Sequence, residues 1–589
     1  MEDSETTETK IVWHEWSGEA FRKAKQLKKP ILMDISAVWC YWCHVMDETT
    51  YSDKEVVRLV NSNFVPIRVD TDQRPDINRR YNVGGWPTTA FLTSDGEVIT
   101  GATYVPPKQM KILLRQVSDQ YNRPIRGAKT RSVVKKHGQE PAPKTLAKLE
   151  TESSEVIVSE VMSTVLGTFD NTYGGFGDQP KFPNTDALDL VLQQYNVAKD
   201  RGLQILIVKT LNSMASGGMY DKKRGGFFRY ATRRDWSKPH YEKILEDNAK
   251  LATTYLNAYR ILGVPEYKNI TDQIVGYVES TLSNKKRGGF YGSQDADEEY
   301  YQSNLSQLEK SDPPRVDPNI YVGQNALMAS TYFLASAVLG RPDLREFSVR
   351  TLNFLCEQCR DKDGIMYHTY TNDGPKPPCL LLDQVLTAQS LLKAYMCLSE
   401  NSYLNKAEDL TKLLIERFYD SNEGGFFDTL QDPASLGALK MRQKIIEENS
   451  NAAELLLELY DLTENELYIE KAEETLGIFE KTYRVYGIIA SSYAHAAYRL
   501  AVPQTKIIVV GEKTNSATTA LRDEALKLCL ARKSIRVLDP HDDEDKIEVQ
   551  SYSIEQPPTA YICVGGVCLE PITDPEMLAS KLSKGISTG

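Results

Sequence analysis

The sequence predicts a multidomain chain: a small layered α/β domain, then an all-α ring of six helical hairpins, then a small C-terminal α/β segment. At 589 residues the chain is too long for one ordinary hydrophobic core. Helix-like and strand-like patterns alternate at first, long helical stretches follow, and strand-like runs return at the end. The predicted boundaries are a domain over 1–125, a linker over 126–150, the ring over 151–500 and the segment over 501–589.

The first domain is predicted from short elements that change type in turn. Apolar residues recur at helical spacing over 20–27, and Pro30 opens a bounded apolar run typical of a buried strand. Ser52 and Glu55 match a capping box, which predicts the start of the second helix. The predicted elements are helix 20–27, strand 31–35, helix 56–60, strand 64–69, a hairpin of 88–93 with 98–104, and a helix from Pro107.

The ring is predicted from six glycine–aromatic loops that interrupt the helical region. They recur at intervals of roughly 50 to 75 residues, which is room for two helices and their connections. An open helical solenoid is the alternative, but repeats of such irregular length favour a closed toroid. The loops lie at 173–176, 225–228, 288–291, 363–367, 424–427 and 486–488.

The linker and the last segment differ from the ring in composition. Residues 126–150 are rich in Lys, Arg, Gln and Pro, with little to bury. After the ring, strand-like runs at 506–510, 535–538 and 560–564 enclose a predicted helix at 518–531. Gly511 does not begin a phosphate loop, because no further glycines follow at the required spacing.

Composition excludes several classes of protein. The net charge of −11 is spread along the chain, so no basic face for nucleic acid is expected. No signal peptide or apolar run of spanning length is visible, which predicts a cytoplasmic protein without a membrane partner. Nine cysteines are too sparse for a disulfide scaffold, so a cysteine pair points to catalysis or metal binding. The oligomeric state is not indicated.

The pair Cys40 and Cys43 follows a predicted strand and should begin a helix. There the first sulfur lies near unsatisfied amides and the positive end of the helix dipole, which favour a thiolate. We therefore expect Cys40 to attack and Cys43 to resolve. His44 follows one turn after Cys40 and either supports the thiolate or points to solvent. Asp34 interrupts the strand and either accepts a proton from Cys43 or merely ends the strand.

Other meanings of the Cys-x-x-Cys spacing are weaker. Cys-x-x-Cys-His is also the c-type haem attachment pattern, but haem attachment needs an export context, which is not visible. Zinc would require two further ligands nearby. Cys356 and Cys359 share the spacing inside an apparently helical stretch and are expected to be packed side chains. We expect no metal and no cofactor.

Several motifs of the sequence resemble those of known protein families. The segment 34–43 resembles the strand and active-site turn of thioredoxins, and Gly85-Trp86-Pro87-Thr88 resembles their cis-proline segment. That resemblance implies that Pro87 faces the dithiol. Longer motifs, which span nearly the whole chain, resemble the spermatogenesis-associated protein 20-like (YyaL-type) family, although the stretch between Arg80 and Gly84 is shorter than is usual there. These motifs are 42–46, 64–70, 74–77, 84–88, 174–176 with 180–183, 239–243 with 247–248, 294–297 and 560–563.

The family resemblance implies a thioredoxin-like domain joined to an (α/α)6 toroid resembling six-hairpin glycosidases and N-acylglucosamine 2-epimerases. A pocket at one end of such a toroid, formed by its loops, would suit a carbohydrate. Paired carboxylates would support hydrolysis, and a base with an acid would support epimerisation. Polar residues beside the loops are the candidates: His240, Glu242, Asp247, Asn248, Asp295, Asp297, Asp317, Asn325 and Asp383.

Three functions remain open from the sequence. The first is a thiol–disulfide oxidoreductase acting on a protein disulfide or small thiol, with the toroid binding or selecting the substrate. The second is an enzyme of carbohydrate metabolism with a regulatory dithiol. The third is a non-catalytic scaffold, since fold resemblance does not fix function.

Overall fold

The structure is a computed structural model that describes residues 10–122, 146–303, 312–552 and 558–586. It divides into two compact units. Unit 1 comprises Met1–Thr145, Asp295–Asp317 and Thr429–Gln443, and unit 2 comprises Leu146–Gln294, Pro318–Asp428 and Lys444–Gly589. Two segments that the sequence assigned to the ring therefore belong to unit 1. Most of the predicted linker, residues 126–145, lies outside the described residues.

Unit 1 contains a four-stranded sheet in the order β2-β1-β3-β4. The strands are β1 Ile31–Ser36, β2 Val65–Asp70, β3 Thr88–Leu92 and β4 Val98–Ala102, and the helices are α1 Gly18–Leu27, α2 Tyr41–Thr49, α3 Lys54–Asn63, α4 Pro75–Tyr81 and α5 Pro107–Asn122. β1 pairs parallel with β2 and antiparallel with β3. Its side chains are buried on both faces, so it forms the centre of the unit.

Two details of unit 1 differ from the sequence prediction. Helix α3 is capped by Asp53, whose carboxylate accepts the Glu55 and Val56 N–H groups, so the predicted capping box of Ser52 was wrong. An aspartate with the right backbone direction caps as well as a serine, and the pattern alone did not separate them. Helix α4, which begins at Pro75, was not among the predicted elements.

Unit 2 contains a closed ring of helical hairpins. In chain order the helices are α6 Thr151–Gly167, α7 Thr185–Ala198, α8 Arg201–Ser216, α9 Leu245–Leu262, α10 Pro265–Tyr277, the short α11 Glu298–Gln302 of unit 1, α12 Val322–Leu339, α13 Pro342–Gln358, α14 Leu381–Leu398, α15 Asn401–Phe418, α16 Ile446–Thr463, α17 Glu466–Gly477 and α18 Ser491–Ala501. The inner helices α7, α9, α12, α14, α16 and α18 each pack against the next, and α18 packs back against α7. The ring is thus closed, which confirms the predicted (α/α)6 toroid over an open solenoid.

Each outer helix is followed by a loop that leads to the next inner helix. Short strands lie in these loops: β5 Tyr230–Ala231, β6 Pro239–His240, β7 Lys243–Ile244, β8 Ser293–Gln294, β9 Ile320–Tyr321, β10 Thr369–Thr371 and β11 Gly374–Lys376. A π-helical turn, Val278–Leu282, ends α10, and 3₁₀ turns occupy Gly437–Lys440 and Tyr483–Ala490.

The glycine–aromatic loops are closed by an aspartate or asparagine at their start. In the first loop the Asp170 carboxylate accepts the Thr172 and Tyr173 N–H groups, and Gly174 and Gly175 both have φ of 73°. Backbone with positive φ is open to glycine at little cost, which explains the repeated glycine pair. The same capping is made by Asp221, Asn284, Asp361 and Asp420.

Lysine–aspartate pairs reinforce three of these loops. Lys181 Nζ lies 2.6 Å from Asp170, Lys243 Nζ 2.8 Å from Asp221, and Lys444 Nζ 2.7 Å from Asp420. Lys181 and Lys243 are fully buried, so removal of either aspartate would leave a buried cation unpaired. The repeated loops are therefore structural elements of the ring.

The C-terminal part of unit 2 is a small α/β layer packed on the ring. Its strands, in the order β13-β12-β14-β15, are β12 Thr505–Val510, β13 Lys533–Leu538, β14 Thr559–Val564 and β15 Val567–Cys568. Its helices are α19 Ser516–Lys527, α20 Lys546–Val549 and α21 Met577–Ile586. Arg532 pairs with the buried Asp461 of α16 at 2.7 Å, which anchors the layer to the ring. The predicted C-terminal α/β segment is confirmed.

Among the described residues, every helix is too short or too polar to cross a lipid bilayer.

Candidate functional site

The dithiol lies at the junction between β1 and α2. Cys40 caps the N-terminus of α2, and its sulfur accepts a hydrogen bond from the Cys43 N–H at 3.2 Å. A disulfide joins the two residues, whose Cα atoms are 5.2 Å apart and which are only 6% and 4% exposed. After reduction, the free amides of the first helical turn would stabilise a thiolate on Cys40.

Pro87 lies at the same edge of the sheet as the dithiol. The Trp86–Pro87 peptide bond is cis, and β3 begins at the next residue. Thr88 pairs with Ile35 near the carboxyl end of β1. Pro87, the residue before Thr88, therefore lies beside this end of β1, from which the chain runs to the dithiol. The Trp86 ring packs on Trp39, with 5.7 Å between centroids.

An aromatic rim surrounds the pair. Tyr41 and Trp42, the two residues between the cysteines, are 42% and 44% exposed. Trp42 lies against Tyr104, with 5.3 Å between ring centroids. Exposed aromatic side chains beside a reactive sulfur provide an apolar surface on which a substrate can dock.

Asp34 is buried in β1, with 1% of its surface exposed. Arg68, its partner in the parallel register with β2, pairs with it at 2.9 Å, and the Tyr51 hydroxyl donates to it at 3.3 Å. Burial raises the pKa of Asp34 to about 6, although Arg68 opposes this shift. A carboxyl group with this pKa can take or release a proton near neutral pH. Sequence reasoning missed Arg68, whose place opposite Asp34 follows from aligning the two strands.

His44 is held by a residue far away in sequence. Its Nε2 lies 3.1 Å from Oδ1 of Asp295, 251 residues further on, and its ring also bonds to the Val38 carbonyl. The hydrogen bond with Asp295 raises the pKa of His44. Of the two orientations left open by the sequence, the structure shows the one in which the imidazole is partnered, although 41% of the side chain remains exposed.

The structure corrects the position of three expected toroid residues. Asp295, Asp297 and Asp317 all belong to unit 1 and not to the ring. Asp297 caps α11 by accepting the Tyr300 N–H, and Asp317 is buried. A stretch inserted between ring helices packs with the first domain through contacts that no local sequence pattern encodes.

His240, Glu242 and Asp247 remain in the ring unit. Nδ1 of His240 lies 3.1 Å from Glu242, and Arg229 lies 3.8 Å from the same carboxylate. Burial raises the pKa of Asp247 to about 6, and its Oδ2 has no hydrogen-bond partner within the described ranges. These side chains are therefore candidates for acid–base chemistry in the ring.

Asn248 and Asn325 serve the architecture of the loops. The Asn248 amide accepts the Phe227 N–H at 2.7 Å and donates to the Phe227 and Ile244 carbonyls. Asn325 makes the corresponding bonds with Phe290 and Tyr321, and Asn449 and Gln384 repeat the pattern. Because both amides are fully engaged with backbone, they fix each loop to its inner helix.

Asp383 pairs with a histidine at the start of α14. Its Oδ2 lies 2.8 Å from His368 Nδ1, and its Oδ1 accepts the Gly323 N–H at 2.8 Å. The carboxylate thus fixes both the imidazole and the beginning of α12.

A further acid–base group was missed by the sequence. His495 Nδ1 lies 2.6 Å from Glu454, which also pairs with Arg499 at 2.9 Å. The His495 and Arg499 side chains lower the pKa of Glu454 to about 2 against the effect of burial. Nearby, burial raises the pKa of Asp189 to about 7, and its Oδ1 has no hydrogen-bond partner in the described part of the chain. These residues could have been found in the sequence as polar side chains within the apolar inner helices α7, α16 and α18.

Comparison with known proteins agrees with this architecture. Residues 4–137 match the family model Thioredox_DsbH, described as "Protein of unknown function, DUF255". Human spermatogenesis-associated protein 20 is 25% identical across 96% of this chain and 89% of its own length. The predicted resemblance to that protein's family is confirmed.

Two further matches each cover part of the chain. The thiol:disulfide interchange protein DsbD of Yersinia pestis (strain Pestoides F) is 30% identical over 77 residues, 13% of each chain. A D-mannose isomerase structure is 16% identical, with a TM-score of 0.47 over 56% of this chain and 85% of that one. The family match and the DsbD match show a thioredoxin-like, DsbD-related domain, and the packing of the inner helices shows a helical toroid.

Proposed function

We propose that this chain is a thiol–disulfide oxidoreductase in which Cys40 is the nucleophile and Cys43 the resolving thiol. One observation carries the proposal: the Cys40 sulfur caps α2 and accepts the Cys43 N–H at 3.2 Å. A thiolate formed there keeps that hydrogen bond and gains the positive end of the helix dipole. The nearby imidazole of His44 adds a cationic group when it is protonated.

In the reducing direction, the Cys40 thiolate attacks one sulfur of a substrate disulfide and releases the other as a thiolate. Cys43 then loses its proton to Asp34 and attacks the mixed disulfide at Cys40. The products are the Cys40–Cys43 disulfide and a reduced substrate. The substrate class is a protein disulfide or a small thiol in its oxidised form, encountered in the cytoplasm, with Tyr41 and Trp42 as its docking surface.

The test uses the full-length chain with a dithiol donor and insulin or a model disulfide. Cys40→Ser should lower the rate by at least about a thousandfold, because the remaining Cys43 thiol is only 4% exposed and is not the sulfur that caps α2. Cys356→Ser is the matched control, since it removes a thiol from the other Cys-x-x-Cys segment, and it should retain the wild-type rate. Equal rates for wild type and Cys40→Ser would refute the proposal.

A second candidate function is carbohydrate isomerisation or hydrolysis inside the ring. It is favoured by three groups on the consecutive inner helices α16, α18 and α7. Glu454 orients His495 as a base, and burial raises the pKa of Asp189 to about 7, so this carboxyl group holds a proton for much of the time near neutral pH. A base and a protonated acid are what proton transfer on a sugar carbon requires.

A screen for aldose–ketose isomerisation, 2-epimerisation and glycan hydrolysis tests this candidate. Any activity should fall at least about a hundredfold in Asp189→Asn and in His495→Gln if these groups transfer protons. Asp409→Asn, an exposed change on the outer helix α15, is the control and should have no effect. Absence of turnover on every sugar would count against a catalytic ring.

A further inference from the structure

A second cysteine pair lies in the C-terminal layer, remote in sequence from the dithiol. Cys563 in β14 and Cys568 in β15 are directly opposite each other and joined by a disulfide. The strands are linked through Gly565 and Gly566, both with positive φ, as a two-residue hairpin requires. In the sequence, Cys563 stands out only as part of the motif at 560–563.

The hairpin holds the two sulfurs together without help from the disulfide. Val564 pairs with Val567, and the Leu569 N–H donates to the Ile562 carbonyl at 2.8 Å. β14 is also paired along its length with β12. Because these backbone contacts fix both Cα positions, reduction would leave the two thiols facing each other. A pair arranged this way can open and close without refolding.

The two cysteines differ in accessibility. Cys568 is exposed on the edge strand β15, as is Val567 beside it, whereas Cys563 is half-buried. An external thiolate can therefore reach the Cys568 sulfur more readily. Cys563 would then be the leaving group, and Lys506 lies opposite it on β12, where a cation favours the departing thiolate.

The disulfide contributes little to the stability of the hairpin. It spans five positions of a hairpin that already has its own turn and ladder, and cross-links that close short loops restrain the unfolded chain least. In contrast, the ring thiols Cys356, Cys359, Cys379 and Cys397 have pKa values raised by burial. Those thiols are protected from exchange, whereas the hairpin pair is presented to solvent.

We propose that Cys563 and Cys568 form a second thiol–disulfide exchange site, which accepts two electrons from a thiol reductant of the glutathione class. A reductant thiolate attacks the Cys568 sulfur, the bond to Cys563 breaks, and Cys563 leaves as a thiolate and takes a proton. A second reductant thiolate then attacks the mixed disulfide. This releases Cys568 as a thiol and yields the oxidised reductant.

The test uses the full-length chain carrying Cys40→Ser and Cys43→Ser, so that its result does not depend on the proposed oxidoreductase function. The protein is equilibrated in glutathione buffers of graded ratio, acid-quenched, alkylated and measured by mass spectrometry of the peptide containing both cysteines. We expect reversible conversion along a two-electron curve, with circular dichroism unchanged. A pair that stays oxidised until the protein is denatured, or a reduced form that loses its fold, would overturn the proposal.

Single variants in the same background test the order of attack. Cys563→Ser leaves the exposed Cys568, which should form a mixed disulfide with oxidised glutathione about tenfold faster than the half-buried Cys563 does in Cys568→Ser. Equal rates would contradict the assignment of Cys568 as the attacked sulfur. Thermal unfolding of both variants verifies that each is folded during the measurement.

Discussion

The chain carries the Cys-x-x-Cys spacing twice, at opposite ends of two helices. Cys40 caps the N-terminus of α2 and is joined to Cys43 by a disulfide. Cys356 lies in the last turn of α13, and Cys359 is the first residue after that helix. Both are free thiols. The same spacing therefore occurs in two different electrostatic settings.

The helix end and the burial of the thiols together set the chemistry of each pair. At an N-terminus, unpaired N–H groups face the sulfur and favour negative charge, whereas at a C-terminus the carbonyls oppose it. Burial raises the pKa of Cys359 to about 12 and also raises the pKa of Cys356. The comparison teaches that position along a helix, more than spacing, distinguishes a reactive pair from packed side chains.

The largest expected effect is a difference in alkylation rate between the two pairs. In the reduced, folded protein at pH 7, Cys40 should react with iodoacetamide at least about a thousandfold faster than Cys359, because only the thiolate reacts. Peptide mass spectrometry over time measures both sites in one sample. In denaturant the two rates should converge, and a ratio below about ten in the folded protein would remove the distinction.

The next effect concerns Asp34, the buried carboxyl group in the strand that precedes the reactive pair. Asp34→Asn should slow disulfide exchange by about tenfold at pH 7, since Cys43 loses its proton acceptor. The wild-type rate should fall as the pH drops through about 6, where Asp34 takes up a proton, and the variant should lose this step. Stopped-flow kinetics across pH 5 to 8 provides the measurement.

A matched control for that variant is Asp47→Asn. Asp47 also pairs with Arg68, at 3.2 Å, and its side chain is 43% exposed. Asp47→Asn should keep the pH step but move it somewhat below 6, because the charge of Asp47 contributes to the raised pKa of Asp34. The pH dependence of stability gives an independent test of the Asp34 pKa. Because the pKa of Asp34 is raised in the folded state, ionisation of this group destabilises the fold increasingly as the pH rises from about 4 to 6. Asp34→Asn should therefore gain stability relative to wild type at pH 7 but not at pH 4, and the reverse order would contradict the assigned shift.

Features encoded by local pattern were predictable from the sequence. The strand before Cys40, the helix after it and the repeated glycine loops each follow from neighbouring residues and periodicity. The loops also contained an unused signal, because Asp170 and Asp221 stand four residues before the first glycine of each pair. Ring closure was predictable from the number of repeats.

Features that depend on distant residues were not predictable. Asp295 meets His44 across 251 positions, and no periodicity links a loop between ring helices to the first domain. The Asp189, Glu454 and His495 group is assembled from three inner helices, so it emerges only when the ring closes. Conversely, the polarity of Asn248 and Asn325 predicted that they belong to the site, although their hydrogen bonds are made to loop backbone.

The smallest expected effect sharpens the comparison at the first pair through His44. Asp295→Asn removes the hydrogen bond that raises the pKa of His44, so less imidazolium is present at pH 7 to favour the Cys40 thiolate. Exchange at pH 7 should slow by about two- to threefold, while at pH 5 both proteins carry the charged imidazole and the rates should agree. Nuclear magnetic resonance titration of His44 measures the pKa shift directly. Asp297→Asn, two residues away, serves as the control, because Asp297 only caps α11. A pH-independent slowing in Asp295→Asn would mean that Asp295 acts through the conformation of its segment and not through the charge on His44.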